Sequence, residues 1–125
     1  MNDRISLTIP RERPFHSVAH LVLGGLAVRH NLTLESLEDL QTALGELLEH
    51  DDQSSDVTVD LSVHDSRVEA EIGPFAEATM RAATEPADGE LSLARVLSTV
   101  VDGVEETERD GNRWLRLVKD VEGPS

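Results

Sequence analysis

The chain has 125 residues and a formal net charge of −14, from 25 acidic and 11 basic residues. It has no cysteine, no signal-peptide pattern and no apolar run of about 18 residues, which excludes disulfides and transmembrane helices and favours one cytoplasmic domain over residues 1–125. Nucleic-acid-binding domains and proteins that dock on anionic membranes present basic faces, so this charge balance argues against direct contact with nucleic acid or a membrane.

The first part of the chain predicts a strand followed by a helix. Residues 5–9 alternate apolar and polar side chains, which predicts a strand with one buried face. Residues 15–30 are apolar almost all round, which predicts a helix that is buried on more than one side. Gly24 and Gly25 in its middle cost about 1 kcal/mol each relative to alanine. We therefore expect another backbone to approach this helix closely.

A second, amphipathic helix is predicted from Thr33, a capping residue, and from leucines that recur at helical spacing up to His50. There is no lysine or arginine between Arg29 and Arg67, whereas acidic residues continue throughout this segment. Such a run is usually a solvated face. The alternative is a docking surface for a basic partner, because a charged field of this kind steers association.

The middle of the chain predicts a hairpin and then a long loop. Alternation over residues 57–63 and again over 68–72 predicts two antiparallel strands. Residues 74–90 lose this periodicity, apart from a short helical stretch at Ala76 to Ala83. Loops of this length in compact domains often form lids or binding loops.

The last part predicts a helix and a second hairpin. Ser92 predicts the cap of the helix, and strands at 104–108 and 114–118 flank Asp110-Gly111, a strong turn signal. Residues 122–125 are expected to form a disordered tail. The order β-α-α-β-β-α-β-β predicts an α+β fold: a two-layer α/β sandwich with a mixed, mostly antiparallel sheet and helices on one face.

Three stretches carry a resemblance to a known family: LEDLQTALGELLEH, VEAEIGPF and LARVLSTVVDGVEETERDGNRWLRLVK. Together with the element order, they make nearly the whole chain resemble the bacterial anti-sigma factor serine kinases. These are small members of the histidine-kinase-like (GHKL) ATPase superfamily. The resemblance implies the fold of that superfamily and a site for Mg-ATP.

The family carries a Glu-x-x-x-Asn box on its second helix, in which the glutamate serves as the base and the asparagine holds Mg²⁺. Glu46 matches the glutamate, so the resemblance implies that Glu46 is the catalytic residue if the chain is active. His50 stands at the asparagine position, which makes it the metal residue by resemblance. Mg²⁺ prefers oxygen ligands, so an imidazole is a poor substitute there.

The family's second box, Asp-x-Gly-x-Gly, holds the adenine through its aspartate. The chain has an altered form of this box, in which Glu71 replaces the aspartate, Gly73 is kept and Phe75 replaces the last glycine. The resemblance therefore implies that Glu71 and Gly73 are remnants of a nucleotide-binding site.

The family's third element is a glycine-rich lid before the last helix, whose backbone amides cradle phosphates. Leu91 and Leu93 align with its glycines, and Gly89 lies nearby. Residues 74–90 are therefore predicted to be a degenerate ATP lid in which Gly89 is the remaining nucleotide-binding glycine. No cofactor is expected, and Mg-ATP is expected only if the site functions.

The resemblance implies a partner-switching regulator that sequesters a sigma factor and releases it to a STAS-type anti-anti-sigma protein. We predict a degenerate member that acts by binding alone. The alternatives are an active serine/threonine protein kinase of the anti-anti-sigma partner and an acidic scaffold domain without a sigma partner. The apolar first helix suits a homodimer. Four acidic side chains of the second helix are predicted to bind a basic partner: Glu35, Glu38, Asp39 and Glu49.

Overall fold

The computed structural model describes residues 3–50, 56–64, 66–85 and 92–120. Within these ranges the strands are β1 (Asp3–Pro10), β2 (Asp56–His64), β3 (Arg67–Phe75), β4 (Gly103–Arg109) and β5 (Asn112–Asp120). The helices are α1 (His16–Arg29), α2 (Leu34–His50), α3 (Glu77–Thr84) and α4 (Leu93–Val100), and a 3-10 turn, Arg13–Phe15, precedes α1.

The five strands form one sheet in the order β1-β2-β3-β5-β4, and each neighbouring pair is antiparallel. Alternate side chains such as Val59, Ile72 and Leu115 point to one face, where they share a core with Leu44 and Leu47 of α2. The other face carries no helix among the described residues. The predicted α+β two-layer sandwich with helices on one face is confirmed, and its sheet is antiparallel throughout the described strands.

The predicted helix caps at Thr33 and Ser92 and the predicted hairpin turn at Asp110-Gly111 are confirmed. The hydroxyl of Thr33 accepts from the backbone N–H of Ser36 at 3.1 Å, and Ser92 caps α4 in the same way at 3.3 Å. Asp110 and Gly111 have φ values of 50° and 79°, which a tight hairpin turn requires. These local signals fix the element boundaries because each satisfies backbone groups within a few residues.

The predicted loop at 74–90 is partly regular structure. Pro74 and Phe75 end β3, and the predicted helical stretch is α3 (Glu77–Thr84). Gly89, with the rest of segment 86–91, lies outside the described residues, and so does the predicted tail at 122–125.

The expected close approach at Gly24 and Gly25 is wrong for the described part of the chain. A Cβ at either glycine would meet no atom within 4 Å. The reason is that α1 buries only one side, and Leu21 and Val28 on the other side are 75% and 83% exposed. None of the helices in the described ranges is long and apolar enough to cross a membrane.

Candidate functional site

The segments that carry the family resemblance meet at one end of the sheet. α2 ends just before β2 begins, and β3 runs antiparallel to β2, so that Gly73 lies opposite Thr58 near the start of β2. Lys119, which lies opposite Val68 at the start of β3, bonds both Asp39 in the first half of α2 and Val100 at the end of α4. The first half of α2, the end of α4 and the start of β3 therefore lie at one end of the sheet, and the other ends of these three elements point toward its opposite end.

Glu46 and His50 belong to the last turns of α2. Glu46 is half-buried. His50 is the last residue of α2, and its side chain lies outside the described part of the structure. The roles of Glu46 as a base and of His50 as a metal residue stay predictions. In the described residues, no group of three or more histidine, aspartate or glutamate side chains is placed to hold a metal ion.

A β-bulge turns Phe75 into the core. Ile72 lies opposite Leu115 and Phe75 opposite Arg113, so β3 has one more residue than β5 between these pairs. Strict alternation from Ile72 would place Phe75 on the open face of the sheet. The extra residue reverses this, and Phe75 is only 6% exposed. An aromatic ring thus fills core space at the position where the resembled family carries a glycine.

Arg11 packs against the same end of the sheet. Its Nη2 donates to the carbonyl oxygen of Pro74, and its guanidinium carbon lies 5.7 Å from the centroid of the Phe75 ring. The Nε2 atom of His16 donates to the carbonyl oxygen of Arg11 at 3.1 Å. Arg11 is itself 8% exposed. The chain's own cation and aromatic ring therefore pack together beside the end of β3.

The cavities described for this chain lie elsewhere. One of about 570 Å³ lies between α3 and α4, and one of about 380 Å³ lies on the open face of the sheet. Two further cavities of about 450 and 210 Å³ border β4. None of these four cavities is lined by a residue of α2.

Glu71 belongs to a charge network on the open face of the sheet. It lies opposite Asp60 of β2, and both side chains point away from the helices. Arg109 joins them: its Nη1 donates to Asp60 at 2.6 Å and its Nε donates to Glu71 at 2.5 Å. Arg116 lies 3.9 Å from Glu71, and Arg4 lies 3.8 Å from Asp60.

Trp114 lies beneath this network. The guanidinium carbon of Arg109 is 4.2 Å from the centroid of the indole ring, which is a close cation–π contact. The ring packs directly on Gly73, where an added Cβ would lie 2.6 Å from two of its atoms. Gly73 is thus needed for the packing of Trp114, and this placement favours a structural role for both Gly73 and Glu71.

The charge network controls the ionisation of Asp60, whose side chain is 9% exposed. Burial alone would raise the pKa of Asp60. Hydrogen bonds from Ser6 and Arg109, together with the positive charges of Arg109 and Arg4, outweigh burial and hold the pKa below its ordinary 3.8. Asp60 is therefore ionised over the physiological pH range and keeps Arg109 in place.

Among the described residues, the sheet separates the predicted base Glu46 from the predicted nucleotide residues Glu71 and Gly73, which share the open face. Glu46 lies in the helical layer, and Glu71 lies on the opposite face of the sheet. The nucleotide-binding roles of Glu71 and Gly73 stay predictions without a shared cavity. The sequence did not predict that Arg109 and Trp114 join Asp60 and Glu71 in one network. The only signal was Asp60 itself, a charged residue between apolar residues of β2, which indicates a charge on the open face of the sheet.

The four acidic residues predicted to bind a partner differ in their surroundings. Glu35, Glu38 and Glu49 are exposed. Asp39 is half-buried and accepts from Nζ of Lys119 at 2.9 Å. The same Nζ donates to the carbonyl oxygen of Val100, so Asp39 connects α2 to β5 and to the end of α4. Asp39 therefore has a structural role, and the exposed glutamates remain the predicted docking residues.

We expect Gly73→Ala to lower the free energy of unfolding by about 1–3 kcal/mol, because the new methyl group overpacks the Trp114 ring. Urea denaturation followed by circular dichroism measures the loss. Trp114 is the only tryptophan, so its fluorescence reports displacement of the ring. Gly25→Ala, which has open space, is the matched control and is expected to be neutral or to stabilise by up to about 1 kcal/mol. Equal effects of the two substitutions would contradict this packing.

Acid pH is expected to weaken the packing of α1 on α2 through His20. Burial, and secondly the nearby charge of His16, lower the pKa of His20 below its ordinary 6.5. The unfolded chain then takes up a proton that the folded chain resists, so stability falls as the pH drops below 6.5. Between about pH 7 and about pH 5 we expect the wild type to lose stability through His20, whereas His20→Gln lacks this loss. The free energy of unfolding of His20→Gln should therefore rise relative to that of the wild type as the pH falls. Urea denaturation at both pH values measures this, and a pH-independent difference would contradict it.

Comparisons with known proteins agree with the resemblance at the level of class. No protein-family model matches the chain. The chain is 25% identical over 79 residues to serine-protein kinase RsbW of Listeria innocua serovar 6a, which covers 58% of this chain and 50% of the relative. It is 27% identical over 82 residues to serine-protein kinase RsbW of Oceanobacillus iheyensis, which covers 60% of this chain and 52% of the relative. The chain thus spans about half the length of the curated relatives it matches.

Proposed function

We propose that the chain is a regulator of the anti-sigma type that holds a sigma factor by protein–protein contact and does not use ATP. A STAS-type anti-anti-sigma protein would compete for the chain and release the sigma factor. The similarity to the RsbW kinases supports this class of regulator. The excess of acidic residues supports it too, because sigma factors carry basic surfaces for promoter DNA.

The burial of Phe75 carries the proposal that ATP is not used. A phosphate cradle needs glycine so that the backbone can approach the ligand closely. Phe75 instead lies in the core with Leu93, the residue aligned with a lid glycine, and Arg11 packs on its ring. The separation of Glu71 from α2 by the sheet supports the same conclusion.

The names of the relatives favour one alternative, an active serine-protein kinase. In that case Glu46 would act as the base that prepares a serine hydroxyl of the anti-anti-sigma partner. Mg-ATP would be required, and Glu46→Gln would abolish phosphate transfer while leaving the partner bound.

The test mixes the purified chain with sigma factors and STAS-type proteins of its own organism, with and without Mg-ATP. We expect a sigma-factor complex in size-exclusion chromatography that forms without nucleotide and is dissolved by a STAS-type protein without phosphate transfer. Transfer of phosphate to the STAS-type protein would establish the kinase instead. Binding to neither class of protein would leave the acidic scaffold domain.

A further inference from the structure

One face of α1 is apolar and lacks a partner among the described residues. Val18, Leu21, Gly25 and Val28 follow one another at helical spacing and so share this face. Leu21 and Val28 are among the most exposed large apolar side chains of the chain. Added Cβ atoms at Gly24 and Gly25 would meet nothing within 4 Å. The apolar face is therefore open along almost the full length of α1.

α2 lies alongside α1 and extends this surface. Nε2 of Gln41 donates to the carbonyl oxygen of His20 at 3.4 Å, and Gly45 packs on the His20 imidazole. Leu34 shares the α1-facing side of α2 with these two residues by helical spacing, yet it is exposed. Leu34 thus continues the apolar surface of α1 across the junction with α2.

The two helices differ in charge. α1 carries no carboxylate along its sequence, and its one arginine, Arg29, lies in the last turn. Glu35, Glu38 and Glu49 lie on the exposed side of α2. Glu35 and Glu38 are next to the apolar surface, one and four residues after Leu34. The combined surface therefore has an apolar half on α1 and an acidic edge on α2.

We propose that this α1–α2 surface, formed by Val18, Leu21, Val28 and Leu34 with Glu35 and Glu38, binds a basic amphipathic helix of a partner protein. The apolar stripe of the helix would pack on α1, and its lysine or arginine side chains would pair with the two glutamates. Single exposed apolar residues are ordinary, but a contiguous patch with a charged edge is typical of an interaction surface.

Charge decides between the two candidate occupants of this surface. A second copy of the chain would bring another net charge of −14 and a second acidic edge, and juxtaposed like charges oppose association. A basic helix is attracted by the same field. The inference rests on the proposed function only for the identity of the partner, since the surface and its chemistry come from the chain itself.

The test uses a designed peptide of about 18 residues, with leucine along one helical face and lysine elsewhere. A peptide of the same composition in scrambled order is its control. In amide NMR spectra of the full chain, we expect the designed peptide to shift signals of α1 and of the first half of α2. The scrambled peptide is expected to bind at least about tenfold more weakly, because it presents no apolar stripe.

Two double variants distinguish attraction of the peptide by Glu35 and Glu38 from attraction by the net negative charge of the whole chain. We expect Glu35→Lys with Glu38→Lys to weaken binding by about tenfold or more. Glu85→Lys with Glu108→Lys makes the same change of charge at exposed positions elsewhere. It is expected to weaken binding by less than about threefold.

Shifts confined to other elements, equal binding of the two peptides, or equal effects of the two double variants would overturn the inference. Concentration-dependent shifts of α1 signals without peptide, with a doubled mass in sedimentation, would assign the surface to a second copy and would also overturn it. If the peptide binds as expected but no sigma factor does, the proposed function fails and the surface stands. If a sigma factor binds without shifting α1 or α2, the inference fails and the proposed function stands.

Discussion

Replacing Arg109 by methionine is expected to lower the free energy of unfolding by about 2–4 kcal/mol. The substitution leaves the carboxylates of Asp60 and Glu71 facing each other without the cation that joins them. Arg4 and Arg116 stay near these carboxylates but at 3.8 and 3.9 Å, so both carboxylates lose their short hydrogen bonds in a largely buried place, and this loss is costly. It also uncovers the face of Trp114, so the loss of stability is accompanied by a change in tryptophan fluorescence.

The matched control is Arg113→Met, which removes an equally short ion pair, of 2.6 Å, to Glu106. Both of these side chains are well exposed, so the loss is expected to stay within about 1 kcal/mol. Urea denaturation of the two variants gives the comparison. Equal losses would contradict the account of the network as a buried stabilising feature.

The Arg109 effect is also expected to depend on pH. The wild type keeps the stability due to Asp60 above pH 3.8 and loses it as the pH falls below that value, because the pKa in the folded chain is lowered. In Arg109→Met the burial of Asp60 and its hydrogen bond from Ser6 persist, while the hydrogen bond and the charge of Arg109 are gone. The pKa of Asp60 is then higher in the folded variant than in the folded wild type, so protonation costs the variant less. The difference in stability between the two proteins should therefore shrink as the pH falls below 3.8.

Replacing Phe75 by alanine is expected to lower the free energy of unfolding by about 3–5 kcal/mol, the usual range when a buried aromatic ring is removed. Phe75 belongs to the core cluster with Met80 and Leu93, and the substitution leaves a cavity there. Differential scanning calorimetry or urea denaturation measures the loss. No gain of nucleotide affinity is expected, since the Glu71 side chain remains on the other face of the sheet.

Phe15→Ala is the natural control because Phe15 is the only other phenylalanine, and it is exposed. Its loss is expected to cost less than about 1 kcal/mol. A small effect of Phe75→Ala, comparable to that of Phe15→Ala, would mean that the ring does not fill the core at the end of β3. The space at the end of β3 would then be open to a phosphate cradle.

Local signals were sufficient to predict most of the fold. Thr33 and Ser92 mark helix starts through hydrogen bonds within three residues, and the Asp110-Gly111 turn needs only its own backbone geometry. Alternation of apolar residues likewise reports which face of each strand is buried. These features do not depend on which strands become neighbours, so a single sequence contains them.

The site depended on information that local patterns lack. The network around Arg109 forms only because β4 and β5 bring that residue over β3, which is a matter of register between distant segments. Phe75 enters the core through a bulge that strict alternation does not predict. Gly73 matched a family glycine in the sequence, yet its contact with Trp114 gives it a packing role.

Thermal unfolding of the chain with and without millimolar Mg-ATP shows whether the chain binds nucleotide. Serine-protein kinase RsbW of Listeria innocua, a relative of the chain, serves as the positive control. A ligand at about 100 times its dissociation constant adds about 2.7 kcal/mol to the free energy of unfolding. For a domain of this size that is a shift of many degrees. We predict no shift for the chain and a clear shift for the kinase. A clear shift of the chain with Mg-ATP would contradict a regulator that acts by binding alone.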